Sequence, residues 1–173
     1  MGASWLVADK LLALYSIPSS SMHPTLQIND RVLINKLYPS MIPIQAGDII
    51  VFEDPGSWMS DEEKLTGNTL IKRVIAVGGD TIECCSIEGK VVINDVAIDE
   101  PYIDPKDVPS DTDFNETVPE GYIFVMGDNR SESNDSRYQT TESGGKFVPL
   151  DNVRGLAFYV LSSNPENHWL PTY

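Results

Sequence analysis

Thr69-Leu-Ile-Lys-Arg-Val-Ile-Ala-Val77 decides the fold. The run is rich in β-branched residues and stops at Gly78-Gly-Asp80, so it reads as a long strand. Side chains alternate along a strand, which puts Leu70, Lys72 and Val74 on one face and Ile71, Arg73 and Ile75 on the other. Both faces are otherwise apolar, so the sheet is expected to be covered on both sides. At least one of the two cations then lies against apolar surface. An ammonium in that setting loses hydration, and its neutral form is favoured. Bringing a lysine from ~10.4 to near 7–8 costs roughly 4 kcal/mol and makes an amine able to act as a base. The plainer alternative is an edge strand whose lysine snorkels to water.

Outward from this strand the chain keeps the same character. Arg31–Lys36, Asp48–Phe52, Gly121–Met126 and Gly155–Leu161 read as further strands, and Thr81–Glu83 with Lys90–Asn94 reads as a hairpin through Ser86–Gly89. Residues Glu53 to Thr69 and Arg130 to Gly145 are polar and turn-forming, and surface loops are expected there. Asp99 to Glu120 holds eight carboxylates and four prolines against one lysine, Lys106. It reads as an exposed loop or the edge of a small subdomain. No internal repeat and no helix-period segment occur in the body of the chain.

The net charge of −14 and pI near 4.3 exclude a general basic patch for nucleic acid or anionic lipid. His23 and His168 stand far apart and outside any metal-ligand spacing, so neither a metal nor another cofactor is expected. Cys84 and Cys85 are adjacent. Their Cα atoms would be ~3.8 Å apart across a trans peptide, short for a disulfide, so free thiols are expected. The apolar window from Trp5 to Tyr15 is broken by Asp9 and Lys10 and is shorter than the ~20 residues of a membrane span. With Trp5, Leu6, Leu11, Leu12 and Leu14, it reads as an amphipathic helix, a buried first strand or the remains of an anchor.

Two stretches carry candidate chemistry besides Lys72. In Ile17-Pro-Ser-Ser-Ser-Met-His-Pro-Thr-Leu26, Pro18 and Pro24 fix φ and remove amide donors, so the hydroxyls sit in a stiff, turn-rich segment. Such a segment holds a nucleophilic serine in one place; it is also the composition of a plain polar linker. Gly127-Asp-Asn-Arg-Ser-Glu-Ser-Asn-Asp-Ser-Arg137 follows directly on an apolar strand. Its Asp and Arg residues can pair and stiffen the loop, and one of its hydroxyls could orient a lysine amine. A solvated Asx/Ser turn has the same composition.

Together with Gly-Asp-Ile-Ile-Val-Phe (47–52) and Ile-Lys-Arg-Val-Ile-Ala-Val-Gly-Gly-Asp (71–80), these stretches, in this order and spacing, resemble the type I signal peptidases. These are membrane-bound Ser-Lys proteases that remove signal peptides from exported proteins. The resemblance runs from about Ile17 to Ser162, and Glu83-Cys-Cys85 with the high acidity is most similar to members from Gram-positive actinobacteria. It implies Ser21 as nucleophile and Lys72 as general base. It further implies Ser19 and the Ser21 N–H as oxyanion hole, Ser133 as the group orienting Lys72, and Asp128, Asp135 and Arg137 as loop supports. Ile17, Met22, Leu26 and Ile71 would form shallow pockets for the small residues of an A-x-A site.

Ser20 stands where the family usually has glycine. His23, two residues beyond Ser21, is badly placed to take its proton. Ser143-Gly-Gly-Lys146 matches S-x-x-K, but no K-T-G or S-D-N follows.

The expected fold is mainly β. Bent antiparallel sheets form a catalytic core (17–80 and 120–173), 81–119 form a small inserted β subdomain, and 1–16 form an N-terminal segment, the remnant of a membrane-anchor region. The expected activity is serine endopeptidase cleavage of signal peptides of secreted preproteins at a membrane surface. The expected location is the extracytoplasmic side of the cell membrane, in a chain that itself lacks the anchor. Two other readings are an acidic β-domain that binds exported peptides without cutting them and a self-cleaving Ser-Lys protease.

Overall fold

The computed structural model describes residues 11–64, 67–162 and 167–171. Trp5 and Leu6 lie outside the described residues. The long strand read from the sequence is β4, Thr69–Val77, and it runs through the middle of the larger of two sheets. In chain order the other strands are β1 Leu12–Ser16, β2 Arg31–Asn35, β3 Ile49–Glu53, β5 Thr81–Cys84, β6 Val92–Ile93, β7 Val96–Ala97, β8 Phe114–Thr117, β9 Tyr122–Met126, β10 Val148–Pro149, β11 Val153–Leu161 and β12 His168–Trp169. The larger sheet has the order β1-β2-β11-β3-β4-β9-β10, with β12 also on β11; the smaller has the order β7-β6-β5-β8. Among the described residues all pairings are antiparallel. The protein is mainly β, and among the described residues the α-helix is one turn, Asp61–Lys64.

Of the three readings of the N-terminal stretch, the strand holds for its described part. Leu12–Ser16 pairs along its full length with β2. Among the described residues three apolar clusters fill the body. One gathers Ile17, Met22, Leu26, Val32, Ile34 and Val51, and a second gathers Ile50, Phe52, Trp58, Val74 and Val125. The third joins Ile75, Phe124 and Met126 of the larger sheet to Ile82 and Phe114 of the smaller and to Val91, just ahead of β6. The two sheets therefore share apolar packing, in which each large side chain removed from water contributes about 1.5–3 kcal/mol.

Four expectations need correction. The acidic stretch from Asp99 to Glu120 contains β8, because Phe114 is buried while its neighbours face outward; one aromatic anchor suffices to pair a strand with β5. The expected single hairpin is followed by a second, tighter one. Asn94 and Asp95 take positive φ of 49° and 65° and join β6 to β7, a conformation these two residue types tolerate. The polar loop after Glu53 is not simply solvated, since Trp58 is 3% exposed. Finally, Cys84 and Cys85 are joined as a disulfide rather than free. The peptide between them is cis, with Cα atoms 2.9 Å apart, so the trans spacing behind the expectation does not apply.

Candidate active site

The Pro-Ser segment between β1 and β2 is pinned at both ends. Ile17 N–H donates to Asp30 O (2.8 Å) and Asn29 N–H to Ile17 O (2.9 Å), with Asn29 at a φ of 73°. Within it, His23 N–H donates to Ser20 O and Leu26 N–H to Met22 O, both at 2.9 Å. Met22 and Leu26 are fully buried in the core. These two anchors turn the chain so that Ser21, between the outer serines and Met22, faces β4.

Lys72 and Arg73 are consecutive on β4 and point to opposite sides of the sheet. Both are buried, at 3% and 0% exposure. Lys72 Nζ donates to Ser21 Oγ over 2.6 Å. Ser19 Oγ donates to the same Ser21 Oγ at a longer 3.4 Å. Arg73 makes a bidentate pair with Asp128, Nε to Oδ1 at 2.8 Å and Nη2 to Oδ2 at 2.6 Å, and its Nη1 donates to Gly47 O at 2.8 Å. Two cations in one apolar strand are tolerable because each meets a polar partner inside the protein.

The loop after β9 is tied to the serine segment. Thr25 Oγ1 donates to Asp128 Oδ2 (2.5 Å), Asn129 N–H to Ser21 O (3.1 Å) and Asn129 Nδ2 to Ser20 O (3.1 Å). Ser20 Oγ in turn donates to Glu132 Oε2 at 2.8 Å. Gly127 has to be glycine: a Cβ there would collide with the Ser21 carbonyl oxygen and with Ser133 Oγ. Arg137 pairs bidentately with Asp135, both nitrogens at 2.9 Å, and Asp135 also accepts from Gly127 N–H at 3.0 Å. Asp128, Asp135 and Arg137 thus make the contacts of loop supports. Ser133 is buried beside Gly127, but its Oγ has no hydrogen-bond partner, so the expected Ser133–Lys72 bond is not formed.

A largely apolar cleft of about 340 Å³ opens from the dyad. Ser21 and Lys72 line it together with Tyr15, Ile17, Val51, Met59, Leu70 and Ile71. Ile17 and Ile71 are where a pocket needs them. Met22 and Leu26 do not line the cleft, because their burial in the core is what holds Ser21 in place.

Several residues of the site were not singled out by sequence. Arg73 could have been found: a second cation on an apolar strand requires a buried anion, and Asp128 directly follows another apolar strand. Glu100 and Tyr102, in the acidic stretch, gave no such signal. The Tyr102 ring lies under the Arg73 guanidinium, 4.0 Å from its centroid, and its hydroxyl donates to Glu100 Oε1 at 2.9 Å. Glu100 also takes Arg130 in a bidentate grip at 2.5 and 3.0 Å. Burial, and then the Glu100 charge, push the Tyr102 phenol far above its ordinary value, so it stays a neutral donor. Burial works against the Arg130 charge, but the Glu100 hydrogen bonds and charge outweigh it and its pKa is raised. Among the described residues no group of His, Cys, Asp and Glu could hold a metal ion, and no helix is long and apolar enough to cross a membrane.

A serine hydroxyl against a buried lysine amine, beside an apolar cleft, is chemically able to serve as nucleophile and base in a hydrolase. Sequence comparison leads to the same class. Residues 1–162 match the family model described as signal peptidase, peptidase S26. The chain is 33% identical to a probable signal peptidase I of Mycobacterium leprae, over 90% of this chain and 69% of that protein. It is 34% identical to signal peptidase I of Mycobacterium tuberculosis, over 90% of this chain and 66% of that one. It thus spans about two thirds of the length of these relatives. A crystal structure of a signal peptidase I from Enterococcus faecalis is similar at 32% identity with a TM-score of 0.48, over 65% of this chain and 95% of that one. The chain belongs to the signal peptidase family, peptidase S26, a class of hydrolases that cleave signal peptides from preproteins.

Proposed function

We propose that this chain cleaves A-x-A type signal peptides by an acyl-enzyme mechanism with Ser21 as nucleophile and Lys72 as general base. The observation that carries the reading is the 2.6 Å contact between Lys72 Nζ and Ser21 Oγ. In the reacting state the amine is neutral and the polarity of that contact reverses, with the Ser21 hydroxyl donating to Nζ. The proton passes to Lys72 as Oγ attacks the carbonyl carbon of residue −1. The oxyanion that forms is held by the Ser21 N–H and the Ser19 hydroxyl. Collapse breaks the peptide bond, and the leaving amine of the mature protein takes the proton from the Lys72 ammonium. Water, deprotonated by the same amine, then hydrolyses the ester.

Ser133, buried beside Gly127 with an uncommitted hydroxyl, orients the amine once a substrate is bound. Asp128, Asp135 and Arg137 hold the loop that carries it. Ile17 and Ile71 supply the apolar floor for the small residues −1 and −3. In this reading 17–80 with 120–173 form the catalytic core and 81–119 an inserted β subdomain that braces it through Glu100 and Tyr102. The enzyme works on the extracytoplasmic side at a membrane surface, where signal peptides are presented. Leu11 and Leu14, both more than a third exposed, lie just ahead of the serine segment and can enter the interface.

The test is incubation with a peptide carrying an A-x-A site, followed by product analysis and intact mass after rapid acid quench. Cleavage after the second alanine, with a transient acyl adduct on Ser21, is expected. Binding without cleavage would leave the chain a peptide-binding β-domain.

A further inference from the structure

We propose that Met59 is a specificity-determining residue, held over the far end of the cleft by a strapped loop so that it limits the size of the side chain at −3. This deepens the signal-peptide reading above and rests on it. By sequence alone the loop from Glu53 to Thr69 was an ordinary polar connection. The structure gives it a built interior. The Asp54 carboxylate, 1% exposed, accepts the N–H groups of Gly56 (3.0 Å), Trp58 (3.1 Å) and Met59 (3.3 Å), and Lys64 Nζ lies 3.6 Å from it.

Trp58 is the anchor. Its ring packs edge-on against Phe52, with centroids 5.9 Å apart. Its Nε1–H donates to Gly145 O at 3.2 Å, and its own carbonyl accepts from Asn134 Nδ2 at 2.6 Å. Ser57 N–H donates to Ser143 O at 3.1 Å. Gly56 and Gly144 meet so closely that a Cβ on Gly56 would collide with the Ser143 carbonyl. The loop is thus fastened to the segment that continues from Ser133, and the next residue after the anchor, Met59, is delivered half-buried into the cleft wall.

The position follows from register. The loop leaves β3 after Glu53, which pairs with Thr69, and Asp54 N–H donates to Asn68 O at 3.1 Å. Met59 therefore belongs to the Thr69 end of the cleft, away from Lys72. At ~3.4 Å per residue, Leu70 lies about 7 Å along β4 from Lys72, as far as two residues of an extended peptide reach, and Thr69 is one step further. With residue −1 at Ser21, the Leu70–Thr69 end takes residue −3, two positions upstream, and −1 and −3 point to the same side. A methionine there is a flexible apolar wall that can close on alanine or valine and is in the way of anything larger.

The test compares kcat/KM for peptides with Ala, Val or Leu at −3 and Ala at −1, with enzyme concentration set by titration with an acylating signal peptidase inhibitor. For the unaltered protein Ala and Val should exceed Leu. Met59→Ala should raise the Leu-to-Ala ratio by about tenfold, the scale of a few methylenes in an apolar pocket. Met59→Phe should lower the ratios for Val and Leu, and Met59→Leu should keep the original order. Trp58→Phe, which keeps an aromatic ring against Phe52 but is smaller and loses the bond to Gly145, should shift the ratio in the direction of Met59→Ala. Ratios unchanged in both Met59→Ala and Met59→Phe, in enzyme that still cleaves the Ala peptide, would overturn the assignment of Met59 alone. If Met59→Ala does not fold, Met59→Phe decides by itself. No cleavage of any peptide by the unaltered protein would overturn the signal-peptide reading and this inference with it.

Discussion

Lys72 Nζ lies 2.6 Å from Ser21 Oγ although 51 positions of sequence separate the two residues. Lys72 is 3% and Ser21 8% exposed. The contact is short, buried and reversible in polarity. A charged amine donates to the hydroxyl and is inert as a base; a neutral one accepts from it and activates it.

Ser21→Ala and Lys72→Ala should each reduce A-x-A peptide cleavage by at least the ~10²–10⁴ that a positioned base contributes. The double variant should be no worse than the more damaged single one, because the two groups act as a unit. Circular dichroism should show the fold intact. Near-normal rate in either single variant would remove that residue from the mechanism.

The pH dependence should have a definite sign. Only the neutral amine can accept the Ser21 proton, so kcat/KM should rise with pH as Lys72 loses its charge. On the proposal that the Ser133 hydroxyl, unpartnered in the free protein, orients Lys72 once substrate is bound, Ser133→Ala should lower kcat by on the order of tenfold or more while leaving KM nearly unchanged. A profile that stays low up to pH 10 would mean that Lys72 is solvated during turnover.

The Arg73–Asp128 pair should show as stability. Both side chains are fully buried, so Asp128→Ala strands a guanidinium inside the protein and should cost about 3–5 kcal/mol in urea unfolding. Replacing both partners, Arg73→Met with Asp128→Leu, should cost less than Asp128→Ala, because no uncompensated charge remains. An Asp128→Ala protein as stable as the parent would mean that Arg73 finds another partner or reaches water.

A detergent or zwitterionic lipid surface should stimulate cleavage. Exchanging the exposed Leu11 and Leu14 for serine should lower the stimulated rate more than the basal one, each buried leucine being worth about 1.5–3 kcal/mol at an interface. The same holds for removal of residues 1–10. Equal rates with and without micelles would count against apposition of this stretch to a membrane.

Much of the fold was legible because its strands announce themselves locally. β2, β3, β4, β9 and β11 all coincide within two residues with apolar, β-branched runs bounded by glycine or polar turns. β8 was not legible, since a single Phe114 among carboxylates has no periodicity to read. The Trp58 loop was missed for a related reason. Its composition is that of any polar turn, and what buries Trp58 is a partner segment some 80 residues later in the chain, through Gly145 and Asn134.

At the site, residue type brought forward a proline-bracketed run of serines and a lysine that a covered strand cannot easily hydrate, and the resemblance to type I signal peptidases picked Ser21 out of that run. Their identity and their separate oddities belong to the sequence. Only the tertiary structure decided that they touch, that Met22 and Leu26 serve the core instead of the cleft, and that Arg73 spends its charge on Asp128. It also decided that Glu100, Tyr102 and Met59 come to the site at all. The physical reason is the same in each case. Strand formation is set by neighbours in sequence, whereas the hydration, pairing and exposure of a side chain are set by whatever the antiparallel pairing of distant strands brings against it.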